Sequence, residues 1–197
     1  MPADSFDSSY MGTPPWDIGR PQPAIIRLAD SGQINGRVLD VGCGTGEHVL
    51  FLVERGYDAV GIDGAPRAIA KARAKAKARG LSAPFDVADA LDLPIPTQPF
   101  DTVIDSGLFH VFSDEERPAF RDSLARVIQP GGTYFMMCFS EREPGNWGPR
   151  RVTQKEIRST FQGKWRVNDI QASAFDVNIR GGQSLAWLAS ITRSDAA

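Results

Sequence analysis

Apolar and polar positions along this 197-residue chain alternate between a strand-like and a helix-like period. Short apolar runs closed by Gly, Pro or Asp lie at 37–41, 58–63, 83–88, 100–107 and 133–139, and they read as buried strands. Helical spacing fills the gaps between them. Residues 22–33 carry Ile25, Leu28 and Ala29 on one face, and residues 47–56 carry apolar side chains at 49, 52 and 53. A helix over 65–79 opens with Pro66 in its first turn and closes at Gly80. Ser113 and Glu116 form a capping box before Phe120, Leu124, Val127 and Ile128, which share a face at i, i+4, i+7 and i+8. Pro118 sits badly in that helix and predicts a kink or an irregular first turn. A second box, Thr153 with Glu156, starts a short helix to Phe161. Residues 164–174 and 184–193 alternate as strands, and Gly181-Gly182 between them predicts an antiparallel hairpin.

The first 21 residues fit neither period. They are rich in Ser, Asp, Gly and Pro, yet they hold Tyr10 and Trp16, and solvated tails seldom carry tryptophan. The expectation is an arm over 1–21 that folds over a ligand, or else one that only packs on the surface, followed by one domain over 22–197. No apolar run approaches the 18 or so residues of a membrane span, and no basic start with an apolar stretch suggests a signal peptide. Two cysteines do not make a disulfide framework, so a cytoplasmic protein is expected. A net charge of −2 favours neither nucleic acid nor an anionic membrane. The basic residues of 71–79 read as a solvated helix face. A monomer or weak homodimer is expected.

Candidate chemistry begins at Asp40-Val41-Gly42-Cys43-Gly44-Thr45-Gly46, where the first strand meets its helix. Glycines at alternate positions let a ligand approach the backbone, and the helix N-terminus behind them presents free N–H groups. The dinucleotide spacing G-x-G-x-x-G is absent, since Glu47 follows Gly46 and no glycine follows it. Asp63, at the end of the second strand, can accept ribose hydroxyls. That acid is shared with NAD enzymes and does not discriminate.

Taken together, Val38 to Gly46, Asp63, Asp89-Ala90 and Pro130-Gly131-Gly132 resemble a class I S-adenosylmethionine-dependent methyltransferase over roughly residues 36–140. The resemblance implies an α/β Rossmann-like fold, with a seven-stranded, mostly parallel sheet ordered 3-2-1-4-5-7-6, its last strand antiparallel, and helices on both faces. It implies S-adenosylmethionine as cofactor, with Gly42, Gly44 and Gly46 under its methionine part, Asp63 on the ribose and Asp89 at the adenine amine. Trp16, Arg20, Asp40, Cys43, Gly64, Ala90 and Asp105 complete the implied cofactor shell. Residues 10–23 are similar to the segment before the first strand in thiol, halide and thiopurine methyltransferases, where it folds over the cofactor.

Methyl transfer from a sulfonium is an in-line displacement that needs alignment and a water-poor pocket rather than a metal. No His, Cys or carboxylate cluster has metal-ligand spacing. Tyr10, Phe109, Phe139 and Trp147 are the candidate acceptor-binding aromatics. His110, at the mouth of the fourth strand, is either a general base or a group that shapes the pocket. Asp105-Ser106-Gly107-Leu108 stands where amino-methylating nucleic-acid enzymes carry D/N-P-P-Y/F, which disfavours that class. The expected acceptor is a small O, N or S nucleophile, first a heteroaromatic or quinone-derived hydroxyl, second a thiol or halide. An NAD(P)-dependent oxidoreductase and a non-catalytic adenosyl-binding protein are the more distant readings.

Overall fold

A computed structural model describes residues 3–179 and 182–194. Five strands, β1 (Arg37–Val41), β2 (Asp58–Asp63), β3 (Phe85–Val87), β4 (Phe100–Ser106) and β5 (Ile128–Phe139), pair in parallel. The hairpin β6 (Trp165–Asp176) and β7 (Gln183–Arg193) joins through β7, which runs antiparallel to β5. The order is β3-β2-β1-β4-β5-β7-β6, as the sequence resemblance implied. Gly181 of the expected turn lies outside the described residues; Gly182 donates to Ile179 O and accepts from Val177 N.

Side chains alternate along the central strands, so the two faces take different residues. Val103, Tyr134, Met136 and Cys138 meet α5 (Glu116–Val127) and α6 (Gln154–Thr160) on one face. Ile104 and Phe135 meet α2 (Pro23–Asp30), α3 (Glu47–Glu54) and α4 (Pro66–Arg79) on the other. Both capping boxes form. Ser113 N donates to Glu116 Oε2 at 2.8 Å, and Thr153 Oγ1 accepts from Glu156 N at 3.1 Å. Pro118 stands in the first turn of α5, where a missing N–H costs least, and residues 114–115 before it form an irregular turn.

Two expectations fail. β5 starts at Ile128 rather than Thr133, because Ile128 pairs with Phe100 before a register shift. Ile128 is therefore a buried strand residue and not part of the helix face. The arm also has a helix of its own, α1 (Ala3–Ser9). No apolar period marks α1 because its anchor is tertiary. Asp7 ion-pairs with Arg67 and accepts from Arg67 N at 2.8 Å, capping α4, whose own N-cap residue is Ala65.

The sheet edges are short or interrupted. β3 has three residues, and its Phe85 carbonyl already accepts from Arg73. β6 has a register shift between Val167 and Asp169. Among the described residues no helix is long and apolar enough to cross a membrane.

Candidate active site

β1 ends in a loop that turns on positive-φ glycines at 42, 44 and 46. Its position is set by Gly42 N and Cys43 N, which both donate to Ile62 O at 2.9 Å. Gly46 is needed for packing as well as for φ. A Cβ there would meet Phe85 at 2.7 Å and Ala72 at 2.9 Å, so only glycine lets α3 and α4 close behind the loop. Cys43 is buried with its sulfur toward Gly61, so it brings only its backbone to the loop. Burial pushes its thiol well up.

Asp63 receives Gly44 N–H on one oxygen and Ala65 N–H on the other, each at 2.8 Å. Each carboxylate oxygen keeps a free lone pair. Burial raises this carboxyl, while the two backbone bonds hold it down. Asp40 differs. It is 1% exposed, and neither of its oxygens has a hydrogen-bond partner. His48 Nδ1 lies 3.4 Å from one oxygen, within ion-pair reach but outside hydrogen-bond geometry. His48 Nε2 accepts from Gln22 N at 3.2 Å, which puts its ring proton on Nδ1, toward Asp40. Gly64 is exposed beside Ala88 O, and Asp89 caps a 3-10 turn at 90–92 by accepting from Leu91 N at 2.9 Å. Ala90 is half-buried and packs on the core.

The arm crosses this loop. Tyr10, 5% exposed, packs on Ala65 and Ala68, and its hydroxyl lies 3.0 Å from where Gly44 would carry a Cβ. Burial raises the Tyr10 phenol, so it stays protonated at neutral pH. Its contacts are on the loop side, not among the acceptor-side aromatics as expected. Trp16 donates Nε1–H to Tyr10 Oη at 3.1 Å, stands edge-on to Phe6 and Tyr10, and is 46% exposed. Thr45 Oγ1 donates to Asp17 and accepts from Lys75. Beyond the loop the arm reaches the β6–β7 hairpin. Asn178 binds Pro15 O and Asp17 O, and Gln22 binds the Asp176 backbone twice. Arg20 pairs with Asp176 at 2.7 Å, so this expected cofactor residue is engaged by the hairpin.

The basic run of α4 is likewise used. Lys71 binds Gly12 O, Lys75 and Arg79 bind Glu47, and Arg73 binds Phe85 O. The face is solvated as expected, with Arg73, Lys77 and Arg79 exposed, and its bonds also staple the arm, α3 and β3.

Asp105 is also corrected. It is fully buried under the turn after β4, where Leu108 N, Phe109 N and Tyr134 Oη donate to it at 2.7, 3.0 and 2.8 Å. Those bonds shape the turn and leave it no role as a cofactor contact. Burial outweighs the three donors and lifts its pKa to about 7. An acid raised from 3.8 adds stability below about pH 4, and that contribution fades as pH rises through 7. Tyr134→Phe removes a donor to the charged form. Its cost should therefore be larger at pH 8 than at pH 5, by about 1–2 kcal/mol. Urea unfolding at the two pH values checks this, and equal costs would contradict it.

Phe109 is fully buried against Phe120, Phe161 and Arg117, so it is core and not acceptor-binding. Phe112 also packs on Phe120. A different aromatic group forms at the ends of β4 and β5. His110, Trp147 and Phe175 surround Phe139, with centroid distances to it of 5.1, 5.5 and 5.7 Å. Phe175 comes from β6 and was missed in the sequence because it falls just beyond the alternation at 164–174, where the strand runs on to Asp176. Gly107 lies beside it, 3.7 Å from His110 Nε2 and 3.9 Å from Phe175 measured from its absent Cβ.

His110 Nδ1 accepts from Phe139 N at 3.0 Å, so the neutral ring carries its proton on Nε2. Burial, with Arg117 and Arg151 adding, pulls its pKa down to about 3. One nitrogen is taken and the other is a donor. Of the two expected readings, this backbone bond matches a group that shapes the pocket, and the neutral ring offers a hydrogen-bond donor.

A doubly wound sheet with a glycine loop after β1 and an acid ending β2 defines a nucleoside-binding enzyme class. A methyltransferase-domain family model matches residues 38–132. The chain is 40% identical over 191 residues to the 2-heptyl-1-hydroxyquinolin-4(1H)-one methyltransferase of Mycobacteroides abscessus, covering 91% of this chain and 84% of that one. A probable thiol methyltransferase of Arabidopsis thaliana is 29% identical, over 76% of this chain and 67% of its own. A structure solved for the conversion of a disulfide bond into a thioacetal group during echinomycin biosynthesis superposes with a TM-score of 0.91 at 37% identity. It covers 98% of this chain and 93% of that one. The chain belongs to the class I S-adenosylmethionine-dependent methyltransferases and acts on a small-molecule acceptor.

The residues present fit the cofactor. A buried carboxylate at Asp40 with no hydrogen bond suits a ligand's ammonium, and Asp63 keeps lone pairs for hydroxyl donors.

Proposed function

We propose that this enzyme methylates an oxygen of a flat heteroaromatic acceptor, a ring hydroxyl or N-hydroxyl that reaches the site already ionised. The observation that carries this reading is the His110 ring, pinned by Phe139 N–H so that only a donor is offered within an aromatic nest. The Mycobacteroides relative, named for a hydroxyquinolone acceptor, supports it. Bound S-adenosylmethionine supplies an activated methyl group on a sulfonium. Phe139, Trp147 and Phe175 exclude water and hold the acceptor ring by its faces. His110 Nε2–H donates to an acceptor oxygen and fixes its orientation. A thiolate acceptor is the second reading, favoured by the Arabidopsis relative. We further propose that Asp40, Asp63 and the glycine loop hold the cofactor, with residues 1–21 acting as a lid. The enzyme is cytoplasmic and monomeric or weakly dimeric in this reading, without nucleic-acid or membrane partners. The free, buried Cys43 and Cys138 support that placement.

The test is a panel of hydroxyquinolones, hydroxylated quinones, phenols and thiols with methyl-labelled cofactor. Heteroaromatic hydroxyls should turn over best, and turnover of thiols only would overturn the reading. The inflection of the pH–rate profile should follow each acceptor's own ionisation. An inflection that stays fixed across acceptors of different acidity would reveal an enzymic base. His110→Ala should lower kcat/KM by about 10–100-fold, the scale of one hydrogen bond to a charged group. His110→Gln, which keeps a donor, should recover part of that loss.

A further inference from the structure

The loop after β5 holds an arginine that forms no ion pair among the described residues. Arg151 donates to the carbonyls of Glu143, Trp147, Pro149 and Pro144. Its guanidinium carbon lies 5.5 Å from the Phe139 ring centroid and 5.7 Å from that of Trp147. Its neighbour Arg150 is paired with Asp114 and Glu156. Among the described residues no carboxylate pairs with Arg151. The nearby acids are engaged elsewhere: Glu143 accepts from Leu185 N, and Glu141 accepts from Trp187 Nε1. Arg142 lies over Trp187, Arg117 over Phe109, and Asp176 beside Phe175 is paired with Arg20. Carbonyl oxygens orient a guanidinium without cancelling its charge. The aromatic nest therefore has on one side a guanidinium that no carboxylate contacts among the described residues, and on another the His110 donor.

We propose that Arg151 is the specificity-determining residue for acceptor charge, selecting the acceptor as an anion over its neutral form. The proposal rests on the acceptor reading above and adds the group that recognises ionisation. The depressed pKa of His110, to which Arg151 contributes, is consistent with a positive field at the nest. The field acts on binding more than on chemistry. Acceptor anion and sulfonium neutralise each other in the transition state, so Arg151 stabilises the bound anion at least as well as the transition state. Its loss should therefore appear in KM and not in kcat.

The experiment compares wild type, Arg151→Gln and Arg151→Lys, each saturated with S-adenosylhomocysteine. Calorimetry measures binding of a 1-hydroxyquinolin-4-one in its ionised form and of the same ring lacking the 1-hydroxyl, which is neutral. Wild type should prefer the anion. Arg151→Gln should weaken the anion by about tenfold or more, the scale of one charge-assisted contact, and leave the neutral ring within about twofold. Arg151→Lys should keep the preference. In turnover, Arg151→Gln should raise KM with kcat nearly unchanged. Equal weakening of both ligands in Arg151→Gln, or loss of the preference in Arg151→Lys, would mean that Arg151 only anchors its loop and would overturn the inference. A wild type that methylates none of the heteroaromatic hydroxyls overturns the acceptor reading instead. Turnover by wild type, with an unaltered anion preference in Arg151→Gln, overturns the role of Arg151 alone.

Discussion

Exchanging Asp40 for asparagine is expected to weaken S-adenosylmethionine binding by about a hundredfold while leaving the free protein as stable as before, or more so. The two signs follow from one observation: Asp40 is buried, and neither of its oxygens is hydrogen-bonded. A carboxylate held that way costs the ligand-free fold desolvation energy that no hydrogen bond returns. His48 Nδ1, at 3.4 Å, lies within ion-pair reach but outside hydrogen-bond geometry. When a cationic ligand supplies the missing partner, removing the charge forfeits about 3 kcal/mol, the lower end of what a broken buried pair costs. Thermal unfolding and calorimetry on the same variant check both signs. A variant that loses stability but binds the cofactor normally would make Asp40 a framework residue and end its proposed role.

Removing residues 1–20 is expected to lower kcat/KM by about two orders of magnitude and to raise the cofactor dissociation constant with it, as loss of a lid does. The arm covers Gly44 with Tyr10, binds Thr45 through Asp17 and joins the hairpin through Pro15, Asp17 and Arg20. The truncated chain should still fold, since both large core clusters are built from residues 25 onward. Hydrogen exchange over residues 8–22 should slow when S-adenosylhomocysteine binds. Equal exchange in both states, with unchanged kinetics after truncation, would reduce the arm to packing.

Local chemistry was legible in the sequence. Both capping boxes depend on residues three positions apart and form where their spacing put them, and the glycine loop and Asp63 stand at the ends of strands whose apolar runs the sequence marks. What could not be read depends on distant partners. Phe109 follows β4 and Phe139 ends β5, yet one turns into the core under Arg117 and the other toward His110, a choice made by α5 and β6. Asp105 has the position of a ligand contact, but three donors reaching it from the turn and from β5 make it a structural anchor. The tautomer of His110 depends on a backbone N–H twenty-nine residues away. Helix α1 escaped because its stability comes from Asp7 meeting Arg67, not from any pattern of its own.

The two ends of the sheet bear on how this enzyme meets others of its kind. An unpaired strand edge is a template onto which another chain can add a strand. Here β3 offers three residues, with Arg73 across its first carbonyl. β6 is longer, but it is interrupted between Val167 and Asp169 and lined with Arg166, Asn168, Asp169 and Gln171, all exposed or half-exposed. Neither edge is a flat, apolar ladder. Short, interrupted and charged edges of this kind disfavour strand addition from another chain, and so guard a mixed sheet against growing into a fibre.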